Sequence, residues 1–110
     1  MVVVEDFPQI RLTAVQIMEK LGCKVFDAYK GPTALATLEA HPEIEVLFTD
    51  VRMPGMDGLE LAEAAQRLRP HLKVVLTSGY VGPKDLPNDL TFVPKPWRSD
   101  DIAAAITDLG

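Results

Sequence analysis

The chain has one cysteine, Cys23, so no internal disulfide can brace it and the fold has to rest on a hydrophobic core. Cys23 lies between a helix-ending Gly22 and an apolar run, which reads as a structural buried thiol rather than a reactive one. Positive charge is also scarce. Eleven Lys and Arg face sixteen Asp and Glu, for a net charge of −5, and no Lys/Arg cluster interrupts that balance. Nucleic-acid binding is therefore not expected, because the positive footprint that dominates such binding is missing. No hydrophobic run approaches the length of a membrane span, and Met1-Val2-Val3-Val4-Glu5-Asp6 turns acidic too soon for a signal peptide, so a cytoplasmic protein with no membrane partner is expected. Internal repeats, linkers and low-complexity segments are absent. What remains is 110 residues, 47% hydrophobic and 25% charged: one domain, 1–110, with apolar material for a single core.

One segment organises the rest. Val46-Leu47-Phe48-Thr49 ends on Asp50, and the Met53-Pro54-Gly55-Met56-Asp57-Gly58 beyond it is too rich in glycine and proline to be anything but a loop. Past Gly58, the residues Leu61, Ala62, Ala65 and Leu68 fall at helical spacing. Asp50 is thus expected at a strand tip, and Asp57 in a turn or helix-start role. The same order recurs along the chain. Val2-Val3-Val4 reads as a strand ending on Glu5-Asp6, followed by a helix from Pro8 with Ile10, Ala14, Ile17 and Leu21 on one face. Lys24 to Tyr29 reads as a second strand. Gly31-Pro32 opens a helix with Ala34, Leu35 and Leu38 inward, closed by His41-Pro42, where an imidazole caps the negative end of the dipole; His71 gets the same structural reading. Lys73 to Thr77 is a fourth strand ending on hydroxyls, Thr77 and Ser78. The stretch from Tyr80 to Leu90 holds Gly82, Pro83, Pro87 and Asn88, which is poor helix material. Thr91-Phe92-Val93 is a fifth strand, stopped by Pro94-Lys95-Pro96. Ser99 then caps a last helix with Ile102, Ile106 and Leu109 as its buried stripe, and Trp97 is expected as a core or rim aromatic at its base.

Strands alternating with helices predict an α/β fold, a doubly wound five-stranded parallel sheet with helices on both faces. Every strand then points its carboxyl end to one edge, where ligands bind in such sheets. Glu5, Asp6, Asp50, Thr77 and Lys95 all fall at that edge. Three carboxylates together repel one another, and dry burial would force one to take up a proton. A hard divalent cation resolves the conflict, since Mg²⁺ takes oxygen ligands and keeps water positions open for a phosphate. The formal charges of Glu5, Asp6, Asp50 and Lys95 then sum to zero with the metal. Asp50 is placed to act as nucleophile and form an acyl phosphate, with Lys95 and the Thr77 hydroxyl supplying positive charge and hydrogen bonds to the phosphoryl oxygens.

An acid pair after the first strand, Asp50 within Thr-Asp-Val-Arg-Met-Pro-Gly-Met-Asp-Gly after the third, Thr77 after the fourth and Lys95-Pro96 after the fifth form an ordered set. The chain resembles, over nearly its whole length, the receiver domain of two-component response regulators. The resemblance implies a flavodoxin-like 2-1-3-4-5 strand order, Asp50 as phosphoacceptor, and Mg²⁺ held by Asp6, Asp50 and the Arg52 backbone carbonyl, with Glu5 acting through a coordinated water. It implies further that Lys95 bridges to the phosphoryl group through a cis Lys95-Pro96 bond. Thr77 would move toward the phosphoryl group while Phe92 turns into the space vacated. The implied partners are a histidine kinase or phosphotransfer protein upstream and a protein target downstream, with the chain a monomer or weak dimer. Two features depart from the family pattern. The connection from Thr77 to Lys95 is short and rich in proline, so the fourth helix should be short or irregular, as in stand-alone receivers or those attached to hybrid kinases. Phe92 lacks the phenolic hydroxyl of a tyrosine and can respond only by packing.

Two rival functions are weighed beside the phosphorylation-controlled switch. A turnover phosphatase working through an aspartyl phosphate needs a second Asp two residues past the nucleophile, and Arg52 stands there. An interaction module that no longer cycles phosphate is disfavoured by the intact set of site residues.

Overall fold

The computed structural model describes residues 1–78, 91–95, 97 and 99–109. In chain order they form β1 (Val2–Val4), α1 (Pro8–Lys20), β2 (Phe26–Ala28), α2 (Gly31–Ala40), β3 (Val46–Asp50), α3 (Gly58–Leu68), β4 (Lys73–Ser78), β5 (Thr91–Pro94) and α4 (Ser99–Leu109). The strands make one parallel sheet in the order β2-β1-β3-β4-β5, as expected.

Each face of the sheet has its own core. On one face Val2, Val4, Leu47, Val74 and Leu76 pack against Ala34 and Leu38 of α2 and Leu61, Ala62 and Ala65 of α3. On the other, Val3, Phe48, Val75 and Val93 pack against Ala14 and Met18 of α1 and Ile102 and Ala105 of α4. Successive strand side chains alternate faces, so the apolar runs of the inner strands feed both cores at once.

Several details differ from the sequence reading, each for a local reason. β2 is confined to Phe26–Ala28 rather than Lys24 to Tyr29, because β1 offers three residues and the register Val2↔Phe26 to Val4↔Ala28 uses them all. β4 runs one residue further, because Ser78 still pairs with Pro94 of β5. In α1 the buried stripe passes through Ala14 and Met18, and Leu21, just past the helix end, is 43% exposed. The expected short fourth helix, Tyr80 and the cis bond to Pro96 lie outside the described residues.

Two local devices hold the elements in place. The Arg69 guanidinium donates to the carbonyls of Leu38, His41, Pro42 and Ile44, satisfying the orphan acceptors at the end of α2. At the start of α3, Asp57 is the N-cap. Its Oδ1 accepts from the Glu60 N–H at 2.8 Å while Glu60 Oε1 accepts from the Asp57 N–H at 3.2 Å, a reciprocal box. The helix-start role expected for Asp57 is what the structure has. Gly58 then brings α3 against the end of β3, its N–H donating to the Val51 carbonyl at 2.8 Å.

A Cβ at Gly58 would overlap the Asp50 carbonyl oxygen and stand 2.8 Å from the Val51 Cα. Backbone cannot yield as a side chain can, so Gly58→Ala is expected to lower stability by about 2 kcal/mol or more. Asp57→Ala, which removes only the cap, should cost about 1 kcal/mol. Urea unfolding of the two variants and the parent measures both.

Candidate functional site

Above the core shared with α1 and α4, four neighbouring strands do the same thing. Val3, Phe48, Val75 and Val93 are buried in that core, and two residues further along each strand line come Glu5, Asp50, Thr77 and Lys95. A period of two puts these four polar residues on the same face as the apolar ones below them. The ladder extends far enough to hold the outer pair. The Glu5 N–H donates to the Ala28 carbonyl and the Lys95 N–H to the Ser78 carbonyl, both at 3.1 Å. Asp50 pairs directly with Thr77 across β3 and β4.

The result is a dense polar centre. Glu5 is 1% exposed and Asp50 5%. Lys95 Nζ donates to Glu5 Oε2 at 2.8 Å and to Asp50 Oδ2 at 3.2 Å. Phe7 N–H donates to Glu5 Oε1 at 3.2 Å, and Arg11, paired with Asp27, donates to the Glu5 carbonyl at 2.9 Å. Burial pushes the Glu5 carboxyl above its ordinary range, and the Lys95 hydrogen bond pulls it only part of the way back. Burial also works against the charged Lys95, but the Glu5 hydrogen bond and the Asp50 and Glu5 charges outweigh it and raise the ammonium above its ordinary value.

One ammonium does not balance three carboxylates. Glu5, Asp6 and Asp50 each offer an oxygen within 4.8 Å of the others, and Asp6 Oδ1 is buried with no hydrogen-bond partner. A buried, partnerless carboxylate oxygen beside two more carboxylates fits a hard cation, which takes oxygen donors and neutralises their repulsion. These residues therefore could hold a metal ion. Arg52, whose carbonyl was expected to join them, is exposed in the loop directly after Val51.

Thr77 and Phe92 do not meet as expected. The pleat puts Thr77 on the α1/α4 side, where its Oγ1 accepts from Trp97 Nε1 at 2.6 Å, while Phe92 packs with the core on the opposite face. Leu76 is the cross-strand partner of Phe92, and Ser78, two residues on and 2% exposed, shares that face at the carboxyl end of β4. The expected exchange of Thr77 for Phe92 is thus corrected: the hydroxyl on the Phe92 side is Ser78. Counting alternation forward from Val74 and Leu76 would have found it. Trp97, expected as a filler aromatic, is part of the centre. Its ring lies edge-on to Phe48 with centroids 5.6 Å apart and sits 5.5 Å from Lys95 Nζ. No spacing rule reveals that contact, because Trp97 lies outside any strand or helix.

A groove of about 640 Å³ bordered by Ile44, Leu68, His71 and Lys73 opens at the amino ends of β3 and β4. It is at the opposite end of the strands from the acidic centre and shares no residue with it.

Residues 1–107 match the response regulator receiver domain. The response regulator receiver protein CpdR of Brucella abortus (strain 2308) is 33% identical over 107 residues, spanning 93% of this chain and 88% of CpdR. Sensor kinase CckA of the same strain is 30% identical over 112 residues, 96% of this chain and 12% of the kinase. Among solved structures, Vibrio cholerae chemotaxis protein CheY4 superimposes with a TM-score of 0.90 over 99% of this chain and 96% of that one; at 20% identity, this is a likeness of fold. Sequence match, strand order and the acidic centre agree, and the chain belongs to the response regulator receiver domain family.

Proposed function

We propose that this domain is a phosphorylation-controlled signalling switch in which Asp50 accepts a phosphoryl group from a histidine kinase or phosphotransfer protein. The observation that carries this reading is the meeting of Glu5, Asp6 and Asp50 within 4.8 Å under a lysine that touches two of them. Mg²⁺ fits this donor set: Asp6, Asp50 and the Arg52 carbonyl would hold it with the support of Glu5, and it would supply positive charge to the phosphoryl oxygens. An Asp50 oxygen forms the new P–O bond as the P–N bond to the donor imidazole breaks, and the imidazole nitrogen takes up a proton. Lys95 shifts from its carboxylate partners to the phosphoryl group. The Ser78 hydroxyl donates to that group, and Phe92 on the same face repacks in response. Hydrolysis by water regenerates the carboxylate, so the domain catalyses only its own transfer and dephosphorylation. Output is by contact with a protein target.

Incubation with Mg²⁺ and acetyl phosphate should give a single adduct by intact mass, stable in acid and labile in base. An adduct that persists in Asp50→Asn would refute the assignment, and steady phosphate release from many phosphoesters would favour a turnover phosphatase.

Lys95→Ala and Ser78→Ala are each expected to bind Mg²⁺ yet lose the phosphorylation-dependent chemical-shift changes around Phe92. Unchanged shifts in either variant would remove that residue from the mechanism.

Metal binding should depend on pH in a defined direction. The folded-state pKa of Glu5 is raised above 4.5, so ionised Glu5 costs stability, a cost absent below 4.5 and complete once pH exceeds the folded value. Lys95, raised above 10.5, contributes stability throughout the neutral range and loses it only as pH climbs through its folded value. Mg²⁺ relieves the Glu5 cost. Its stabilisation, about 2.7 kcal/mol at a hundred times Kd, should be full at neutral pH and shrink as Glu5 protonates. Thermal unfolding with and without Mg²⁺ across pH reads this, and Asp6→Asn should abolish most of the increment.

A further inference from the structure

We propose that Trp97 is a positioning residue for phosphoryl transfer at Asp50: its indole N–H, bound to the Thr77 hydroxyl, anchors the chain two residues past Lys95 and so keeps the Lys95 ammonium over the Asp50 carboxylate. This rests on the reading of Asp50 as phosphoacceptor.

Lys95 carries a flexible side chain just past β5, and nothing in its own stem fixes where its ammonium goes. Trp97, two residues on, is fixed at both ends. The ring meets Phe48, which precedes Asp50 by two residues on the same strand, and the N–H meets Thr77, the direct cross-strand partner of Asp50. Trp97 is therefore seated on two residues next to the phosphoacceptor, one along the strand and one across it. Its ring also lies 5.5 Å from Lys95 Nζ, which favours the cation on that side. Thr77 is held in turn, because its carbonyl accepts the Val51 N–H at 2.9 Å just past Asp50.

An aromatic that merely filled space would need no donor. The half-buried indole packs its ring against Phe48 and spends its N–H on the Thr77 hydroxyl, so Trp97 and Thr77 are matched to each other. The Thr77 hydroxyl, expected to serve the phosphoryl group, instead accepts this bond.

The test uses the full chain with acetyl phosphate and Mg²⁺, following adduct formation by intact mass and Mg²⁺ affinity by calorimetry. Trp97→Phe keeps the ring and Thr77→Val keeps the shape, and each should slow adduct formation at saturating acetyl phosphate about fivefold while Mg²⁺ affinity stays within about twofold. The double variant should be no slower than either single one, and Thr77→Ser, which restores the hydroxyl, should recover the rate. In the wild type the one indole N–H resonance should move when Mg²⁺ and beryllofluoride are added. Unchanged rates in both single variants, or losses that multiply in the double, overturn the role of Trp97 alone. A wild type that forms no adduct overturns the phosphoacceptor reading, and the positioning role with it.

Discussion

The contact that the site depends on is the Lys95 ammonium lying between Glu5 and Asp50. It joins residues 90 and 45 positions apart in sequence and makes two buried carboxylates tolerable in one place. Carboxylates that close together in a dry setting would otherwise hold a proton or splay apart, and either would spoil a nucleophile. The ammonium satisfies two of the three acids and leaves Asp6 Oδ1 buried without a partner. The centre is balanced enough to fold and unbalanced enough to attract a cation. A fully neutralised cluster would have no affinity left for metal or phosphate.

The frame on which this contact is built is supplied by the sheet. Val3 and Glu5, Phe48 and Asp50, Val75 and Thr77, Val93 and Lys95 are the same two-residue step taken on four strands. The apolar member of each pair anchors its strand in the α1/α4 core, so the polar member is positioned by hydrophobic packing. Gly58 completes the arrangement from below, letting α3 close against the backbone of Asp50 and Val51 without displacing them. Loss of packing in that core would therefore be felt as loss of chemistry above it.

Much of this is legible in the sequence because it follows from periodicity and strand ends. The parallel sheet comes from apolar runs alternating with helical spacing, and the residues that converge are those at the strand tips. The failures have two causes. Thr77 was singled out as the hydroxyl at the end of β4, but two hydroxyls stand there, and only the pleat, read from the burial of Val74 and Leu76, decides that Ser78 faces Phe92. Trp97 and Arg69 were missed because their roles depend on where a turn delivers a long side chain. Arg69 reaches the carbonyls closing α2 from 25 to 31 residues away in sequence, a distance no local pattern encodes.

The two hydroxyls also explain how one charge change could be felt on both sides of the sheet. Thr77 faces α1 and α4 through Trp97, and Ser78 faces the side where Phe92 packs. On the proposed reading, phosphorylation would replace the single charge of Asp50 with roughly two, adding about one negative charge to a centre that one ammonium already leaves unbalanced. Lys95 must then divide itself among more acceptors than before. Its main-chain N–H is fixed to the Ser78 carbonyl, so a shift of Lys95 bears on the end of β4 directly. Ser78 and Thr77 are adjacent in that strand, and a displacement of either is a displacement of both, with opposite faces of the sheet as the two readouts. Packed cores are bistable rather than continuously deformable, so a small movement at this junction favours one packing or the other on each face instead of dying away.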